Sequence, residues 1–145
     1  MTIFFNTITK YKKGEKMGSI IVAECECGFE TEDMYLGGGR ANHTKLCRFP
    51  NYCKDCKSLF VGNMYDKEII CDKCSSNKTI PYNDLQLIKE MKNTAFDWYK
   101  PEIVKKYNNT ATGYIDGQLV LSSGNNLCPK CSNYKLEFIS IGMWD

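Results

Sequence analysis

The sequence predicts a small, mainly β fold with one or two short helices, in which one ribbon is nested within a second, split ribbon. Two C-x-x-C pairs, separated by 14 residues, flank an apolar β-like segment between residues 52 and 75. Two further cysteine pairs lie outside this stretch, each between two predicted strands. Paired thiols in tight turns at strand ends are typical of rubredoxin-like knuckles, which predicts the zinc-ribbon class.

Composition indicates a globular protein with reduced thiols. Of the 145 residues, 43% are hydrophobic and 25% charged, values typical of a single folded domain. The nine cysteines come mostly in close pairs and no secretion signal precedes them, which indicates metal ligands in the cytoplasm rather than disulfides. No apolar run is long enough for a transmembrane helix, so no membrane partner is expected.

The formal charge does not favour a nucleic-acid partner. The net charge of +2 counts every cysteine as neutral. A Zn²⁺ ion held by four thiolates carries a charge of about −2, so two such sites would change the charge of the folded protein from +2 to about −2. Nucleic-acid-binding domains usually carry a strong basic excess instead.

The first sixteen residues differ from the rest, because four lysines cluster there and no apolar period continues. We interpret residues 1–16 as a disordered tail or as a mis-called start. In the second case Met17 is the native start, because codons for residues 13–16 could spell a bacterial ribosome-binding site. Residues 17–145 then form a single zinc-ribbon domain, with an inserted ribbon at 52–80 and a helical insertion at 83–109.

Short runs of β-branched and aromatic residues predict the strands. The outer ribbon begins at residues 19–23, returns over residues 29–36 and is interrupted by three glycines. An Asp116-Gly117 pair predicts a two-residue hairpin turn between two further strands. The remaining strands are expected at 57–64, 68–70, 79–80, 113–115, 118–121 and 135–141.

Residues 83–95 predict a helix. Asn83 can act as its N-cap, with Gln86 three residues later as in a capping box. A one-sided apolar stripe follows, formed by Leu87, Ile88, Met91 and Ala95. A second short helix is expected to begin at Pro101, since proline suits the first helical position, and to end near residue 108.

The cysteine pairs predict two four-thiolate sites that each hold one Zn²⁺. The inner site consists of Cys53, Cys56, Cys71 and Cys74. The outer site consists of Cys25, Cys27, Cys128 and Cys131. The long loop between the outer pairs does not argue against this site, because the entropic cost of closing a loop grows only slowly with its length. Four protein ligands leave no open position, so both sites are expected to be structural, with iron or an iron–sulfur cluster as the alternative to zinc.

His43 and Cys47 leave a second grouping open. Their H-x₃-C spacing suits a ligand pair, so they could join Cys25 and Cys27 in a local site. That grouping would leave the C-terminal knuckle without partners, and we favour the long-range grouping for this reason. In the long-range grouping Cys47 is not a metal ligand. It is then either a buried apolar residue or a reactive thiol beside the cations His43, Lys45 and Arg48.

Several segments resemble a group of small, uncharacterised bacterial zinc-ribbon proteins. They are A-E-C-E-C-G-F-E-T, L-G-G-G, C-R-F-P-N-Y-C-K-D-C-K-S-L-F-V, I-I-C-D-K-C-S, and the terminal C-P-K-C with G-M-W-D. The resemblance covers about residues 19–82 and 127–145. It implies zinc binding and a ribbon-type fold, and it brings no established activity.

Three functional hypotheses follow. The first is a zinc-stabilised module that binds another protein through strand edges and exposed aromatic anchors. The candidate anchors are Tyr35, Tyr52, Tyr65, Tyr99 and Trp144. The second is binding of RNA or single-stranded DNA through a basic stretch interleaved with Phe49 and Tyr52. Its cations are Arg40, Lys45, Arg48, Lys54 and Lys57. The third is a thiol enzyme that uses Cys47.

Overall fold

The computed structural model describes residues 18–39, 45–99 and 118–144. Within these ranges the chain is mainly β, with eight strands and one short 3-10 turn at Leu85–Leu87. The strands are β1 (Gly18–Glu24), β2 (Met34–Leu36), β3 (Arg48–Cys53), β4 (Ser58–Asn63), β5 (Thr79–Pro81), β6 (Thr94–Tyr99), β7 (Gln118–Ser122) and β8 (Glu137–Trp144). The small, mainly β fold class is therefore confirmed.

Two three-stranded antiparallel sheets have the same topology. Their strand orders are β2-β1-β8 and β4-β3-β5. In each sheet the central strand runs into a first cysteine knuckle, the next strand pairs on one side, and the strand after the second knuckle pairs on the other. The β4-β3-β5 unit lies in sequence between β2 and β8, so one ribbon is nested within the other.

The two units share one apolar core. Tyr82 follows β5 of the inner unit and is fully buried. Its hydroxyl donates a 2.9 Å hydrogen bond to the Leu127 carbonyl, and its ring lies 5.3 Å from that of Phe138 in β8. Gly37 and Arg48 also exchange two backbone hydrogen bonds of 2.9 Å, which connect the end of β2 to the start of β3.

The expected helix at residues 83–95 is wrong. Asp84, not Asn83, caps the short 3-10 turn, and its carboxylate accepts a hydrogen bond from the Gln86 backbone N–H. The chain then runs extended, because the Leu87 carbonyl and the Lys89 N–H bond to the backbone of residues 125–127. These long-range bonds replace those that a helix would have made internally.

The described part of the proposed helical insertion, residues 83–99, therefore contains β6 and no helix of two turns. β6 pairs with β7 in a third, two-stranded antiparallel sheet. The predicted 113–115 strand, the Asp116-Gly117 turn and the helix from Pro101 lie outside the described residues.

The predicted return strand at 68–70 is also wrong. Ile69 lies over Gly62 of β4, where a Cβ atom on the glycine would come within 2.8 Å of the isoleucine side chain. The Ile69 carbonyl accepts a hydrogen bond from the Thr79 hydroxyl, so the segment crosses the ribbon instead of running beside β4. The outer return strand is shorter than the expected 29–36, with a single bridge at Glu30 before β2.

Candidate metal centres

The inner centre brings together four thiols from two knuckles. Cys53 and Cys56 lie at the turn between β3 and β4, and Cys71 and Cys74 lie just before β5. Across the two knuckles, the Sγ atoms of Cys53 and Cys74 are 3.6 Å apart and those of Cys56 and Cys71 are 3.7 Å apart. All four Sγ atoms lie within 4.8 Å of one another.

The outer centre brings together thiols from opposite ends of the described chain. β1 carries Cys25 and Cys27 into a tight turn, and the Cys128/Cys131 knuckle precedes β8. The Sγ distances are 3.8 Å between Cys25 and Cys131 and 3.7 Å between Cys27 and Cys128. The structure therefore groups these thiols across the long sequence separation that the spacing analysis favoured.

The sulfur positions fit a single tetrahedral ion. A metal–sulfur bond of about 2.3 Å implies tetrahedron edges of about 3.8 Å between thiolates. In each group two cross-knuckle distances, from 3.6 to 3.8 Å, match that edge, and the remaining pairs lie within 4.8 Å. An iron–sulfur cluster bonds its cysteines to different irons and holds their sulfurs further apart. Each group can therefore hold one tetrahedral ion, and the distances do not suit a cluster.

The knuckles share a backbone conformation that presents the thiols. Four residues with positive φ directly follow the second cysteine of a pair: Gly28 at 104°, Lys57 at 53°, Ser75 at 65° and Ser132 at 62°. Backbone N–H groups also point at the sulfurs, as in the 3.3 Å contact from Lys73 to Cys71 and the 3.4 Å contact from Lys130 to Cys128. Such N–H groups stabilise the negative charge of a thiolate.

Sequence reasoning identified only the glycine among these four turn residues. The other three positions carry serine or lysine, which pay a conformational cost in the left-handed region. Their shared place, immediately after each second cysteine, is the signal that could have identified all four turns.

The thiols of the two groups differ in acidity. The Ser58 hydroxyl, 3.2 Å from the Cys56 Sγ, lowers the pKa of Cys56 to about 7. A backbone hydrogen bond from Ser76 favours the Cys74 thiolate, but desolvation and the neighbouring thiols outweigh it and raise its pKa to about 12. In the outer centre, burial raises the pKa of Cys25 to about 12.

The two centres also differ in exposure. Cys56 and Cys74 of the inner centre are exposed, whereas in the outer centre Cys25 and Cys128 are buried and the other two thiols are half-buried. All nine cysteines lie in the described ranges, and none of them forms a disulfide.

Cys47 belongs to neither four-thiol group. Its side chain is fully buried, and its backbone N–H donates to the Asn63 side chain while its carbonyl accepts from the Met64 N–H. A thiol in this position has no access to a substrate in solvent. His43, the partner considered for Cys47, lies outside the described residues.

The basic stretch at residues 40–57 does not expose the aromatic rings that base stacking on a nucleic acid would require. Phe49 is fully buried and Tyr52 is 8% exposed, so neither ring can stack on a base. Arg48 is half-buried and donates a 2.7 Å hydrogen bond to the Tyr35 carbonyl. Exposed cations remain at Lys45, Lys54 and Lys57. Arg40 lies outside the described residues.

Two of the five candidate anchors form an accessible aromatic pair. Tyr35 is 42% exposed, and its ring meets that of Trp144 edge-on at 5.6 Å. The indole N–H donates to the Leu36 carbonyl, which fixes the tryptophan ring against the sheet. Tyr52 is buried and Tyr65 is half-buried against the core. The side chain of Tyr99 lies outside the described part.

A groove of about 720 Å³ lies between the two centres. One wall is the segment of residues 29–34 and the other is β4, while both C-terminal knuckles contribute residues at 72–73 and 129–130. No sequence pattern indicates this groove, because it depends on how the two ribbons pack. Within the described ranges no helix is long and apolar enough to cross a bilayer.

Comparison with protein-family models, curated proteins and solved structures found no match for this chain. What is established is two four-cysteine groups on a mainly β fold, each able to hold a metal ion.

Proposed function

We propose that the protein binds two Zn²⁺ ions, one in each four-cysteine group, and that the two ions stabilise a scaffold that binds another protein. The observation that carries the proposal is the pair of four-thiol groups whose cross-knuckle sulfur distances of 3.6 to 3.8 Å equal the edge of a zinc tetrathiolate. Zinc is favoured because a closed tetrahedron of four thiolates is the usual form of a structural zinc site.

The ions in this proposal have a structural role. Four protein ligands fill the coordination sphere, so no position is left for a water molecule or a substrate. Each ion closes two turns that lie far apart in sequence, 15 to 21 residues in the inner centre and 101 to 106 in the outer one. Metal binding of this kind supplies folding free energy directly.

Two accessible features support a protein partner. The groove between the ribbons exposes a strand edge, and the Tyr35–Trp144 pair exposes aromatic surface on the other sheet. Strand edges and aromatic side chains are both common contact elements in protein interfaces.

Native mass spectrometry of protein from a metal-replete host tests the metal assignment. We expect two zinc ions per chain and no visible absorbance. The variants Cys53→Ser and Cys128→Ser should each lower the count by one. A strongly coloured protein, or a count of one ion in the wild type, would contradict the assignment.

Chemical cross-linking in the native host tests the partner. We expect the metal-loaded protein to cross-link to a defined second protein, and a Cys53→Ser variant that lacks the inner ion to lose that product. If the wild-type chain gives no cross-linked protein product at a level above a size-matched control protein, the interaction role is wrong, whatever the metal count.

A further inference from the structure

β4 is an edge strand whose outward backbone groups face the groove. It pairs only with β3 in its sheet. On the far side of β3, the Tyr82 N–H bonds to the Pro50 carbonyl and the Lys54 N–H bonds to the Lys78 carbonyl. Even-numbered residues of β3 therefore direct their backbone groups to β5, and odd-numbered residues direct theirs to β4.

The register then fixes which β4 groups point outward. Asn51 is opposite Phe60, and Cys53 is opposite Ser58, so Phe60 and Ser58 bond to β3. Leu59 and Val61 alternate with them and present their N–H and C=O groups to the open edge. The Lys73 ammonium group, which donates to the Leu59 carbonyl at 3.4 Å, marks this edge as outward-facing.

The main-chain groups of Val61 remain available there. Within the described ranges, no backbone hydrogen bond joins Val61 to any residue on the groove side. Met34, Leu59 and Phe60 also line the groove and are buried, which gives it an apolar floor. An open strand edge above an apolar floor is the arrangement that accepts an added strand from another chain.

The charges of the groove favour a cationic occupant once the centres hold metal. Its carboxylates are Glu30, Glu32, Asp33 and Asp72. Its cations are Arg48, Lys57, Lys73 and Lys130. None of these groups forms a salt bridge within the part of the chain that is described. The charges of the four negative and four positive side chains cancel. Each Zn²⁺ ion with its four thiolates carries a charge of about −2, so the two loaded centres add about −4 in total.

The two signs are also separated in space. The three lysines belong to the knuckles, beside or between metal-ligating cysteines, where thiolate charge offsets them. Three of the four carboxylates lie together at residues 30–33, on the wall that faces β4. A ligand lying along β4 would therefore face three carboxylates across the groove, where Arg48 is, among the described residues, the one lining cation outside the knuckles.

We propose that this groove binds an extended peptide with basic side chains, which adds to β4 as a new strand at Leu59–Val61. This inference rests on the proposed interaction function and names its partner chemistry. The peptide backbone would bond to Val61, its apolar side chains would contact the floor, and its cationic side chains would face residues 30–33.

Fluorescence anisotropy with purified, metal-loaded protein tests the inference. The probes are three labelled heptapeptides: alternating valine and lysine, alternating valine and glutamate, and the lysine peptide with every backbone nitrogen methylated. We expect the lysine peptide to bind about tenfold or more tightly than the glutamate peptide. Methylation, which removes strand-forming donors, should weaken binding by about tenfold.

The variant Val61→Pro probes the edge itself. It removes the outward N–H without removing a bond to β3, and proline is compatible with an edge strand. We expect Val61→Pro to weaken binding of the lysine peptide about tenfold and the control Val61→Thr, which keeps the N–H, to change it by less than about threefold. Both variants should retain the wild-type metal count and circular dichroism spectrum.

Three outcomes would overturn the inference: no saturable binding of the lysine peptide, equal binding of the methylated peptide, or equal binding by a folded Val61→Pro variant. If Val61→Pro does not fold, the methylated peptide still decides. The cross-linking experiment separates this failure from failure of the proposed function. A cross-linked partner that persists in folded Val61→Pro leaves the interaction function standing and refutes the groove assignment alone.

Discussion

Replacing Tyr82 by phenylalanine should weaken the junction between the two ribbons without touching a metal ligand. Tyr82 is fully buried, and its hydroxyl donates to the Leu127 carbonyl at 2.9 Å. The substitution keeps the ring and its edge-on contact with Phe138 at 5.3 Å. It therefore removes one hydrogen bond that joins the inner unit to the outer knuckle.

The expected loss follows from this one bond. A neutral hydrogen bond contributes about 1 kcal/mol, and a partly buried carbonyl left without its donor adds to the loss, so we expect about 1 to 2 kcal/mol. For a chain of this size that corresponds to a decrease in Tm of about 3–7 °C. Burial holds the pKa of Tyr82 well above its usual value, so the hydroxyl is a protonated donor and the loss should be equal at pH 6 and pH 8.

Urea unfolding of the metal-loaded protein, followed by circular dichroism, measures the loss. Tyr52→Phe is the matched control, because Tyr52 is also an aromatic core residue, but its hydroxyl makes no hydrogen bond within the described part. It should change the free energy of unfolding by less than about 0.5 kcal/mol. The reasoning is refuted if Tyr82→Phe is as stable as the wild type or if both variants lose the same amount.

Three further predictions concern the centres and their turns. Lowering the pH from 8 to 6 should weaken metal binding by the inner centre at least about a thousandfold in a competing-chelator titration. Deprotonation of Cys74, with a pKa of about 12, contributes about a hundredfold, and that of Cys56, with a pKa of about 7, about tenfold; the other two ligands can only add to this, and a change below tenfold would contradict the prediction. Gly28→Ala should lower the free energy of unfolding, measured in urea, by about 1–2 kcal/mol, because φ at Gly28 is 104°. The cost is conformational, since an added Cβ would lie 3.9 Å from its nearest neighbour, the Lys130 Nζ. The control Ser132→Gly should not lower the free energy of unfolding. Removing both ions with a strong chelator should abolish the β-sheet circular dichroism signal, and a retained signal would show that the core suffices without metal.

The knuckles could be predicted because their determinants are local. Two cysteines separated by two residues between predicted strands are typical of a metal-binding turn, and short β-branched runs such as residues 19–23 identify the adjacent strands. The long-range grouping of the outer pairs also followed from sequence, by asking which pairs lie between two strands. Burial of Cys47 agrees with its interpretation as a small apolar residue.

The errors have long-range causes. Leu87 and Ile88 fit a helical stripe, but their backbone groups bond to residues 125–127, and no local pattern announces such a distant partner. The residues of β6 include Phe96 and Trp98 in alternation, a strand signal that the helical interpretation obscured. The basic stretch predicts exposed rings at Phe49 and Tyr52, but both residues belong to a strand that is buried on both faces.

The nesting of the two ribbons sets an order of assembly. The thiols of the inner centre are 15 to 21 residues apart, so this centre can take up its ion as soon as residue 74 has emerged from the ribosome. The outer centre closes a span of 101 to 106 residues and must wait for residue 131. From loop length alone its closure costs about 1.7 kcal/mol more, as (3/2)RT ln(101/15), and the prior folding of the inner ribbon reduces that difference by shortening the flexible part of the loop. Loop length therefore favours an inner centre that closes first, while the two outer knuckles are still apart.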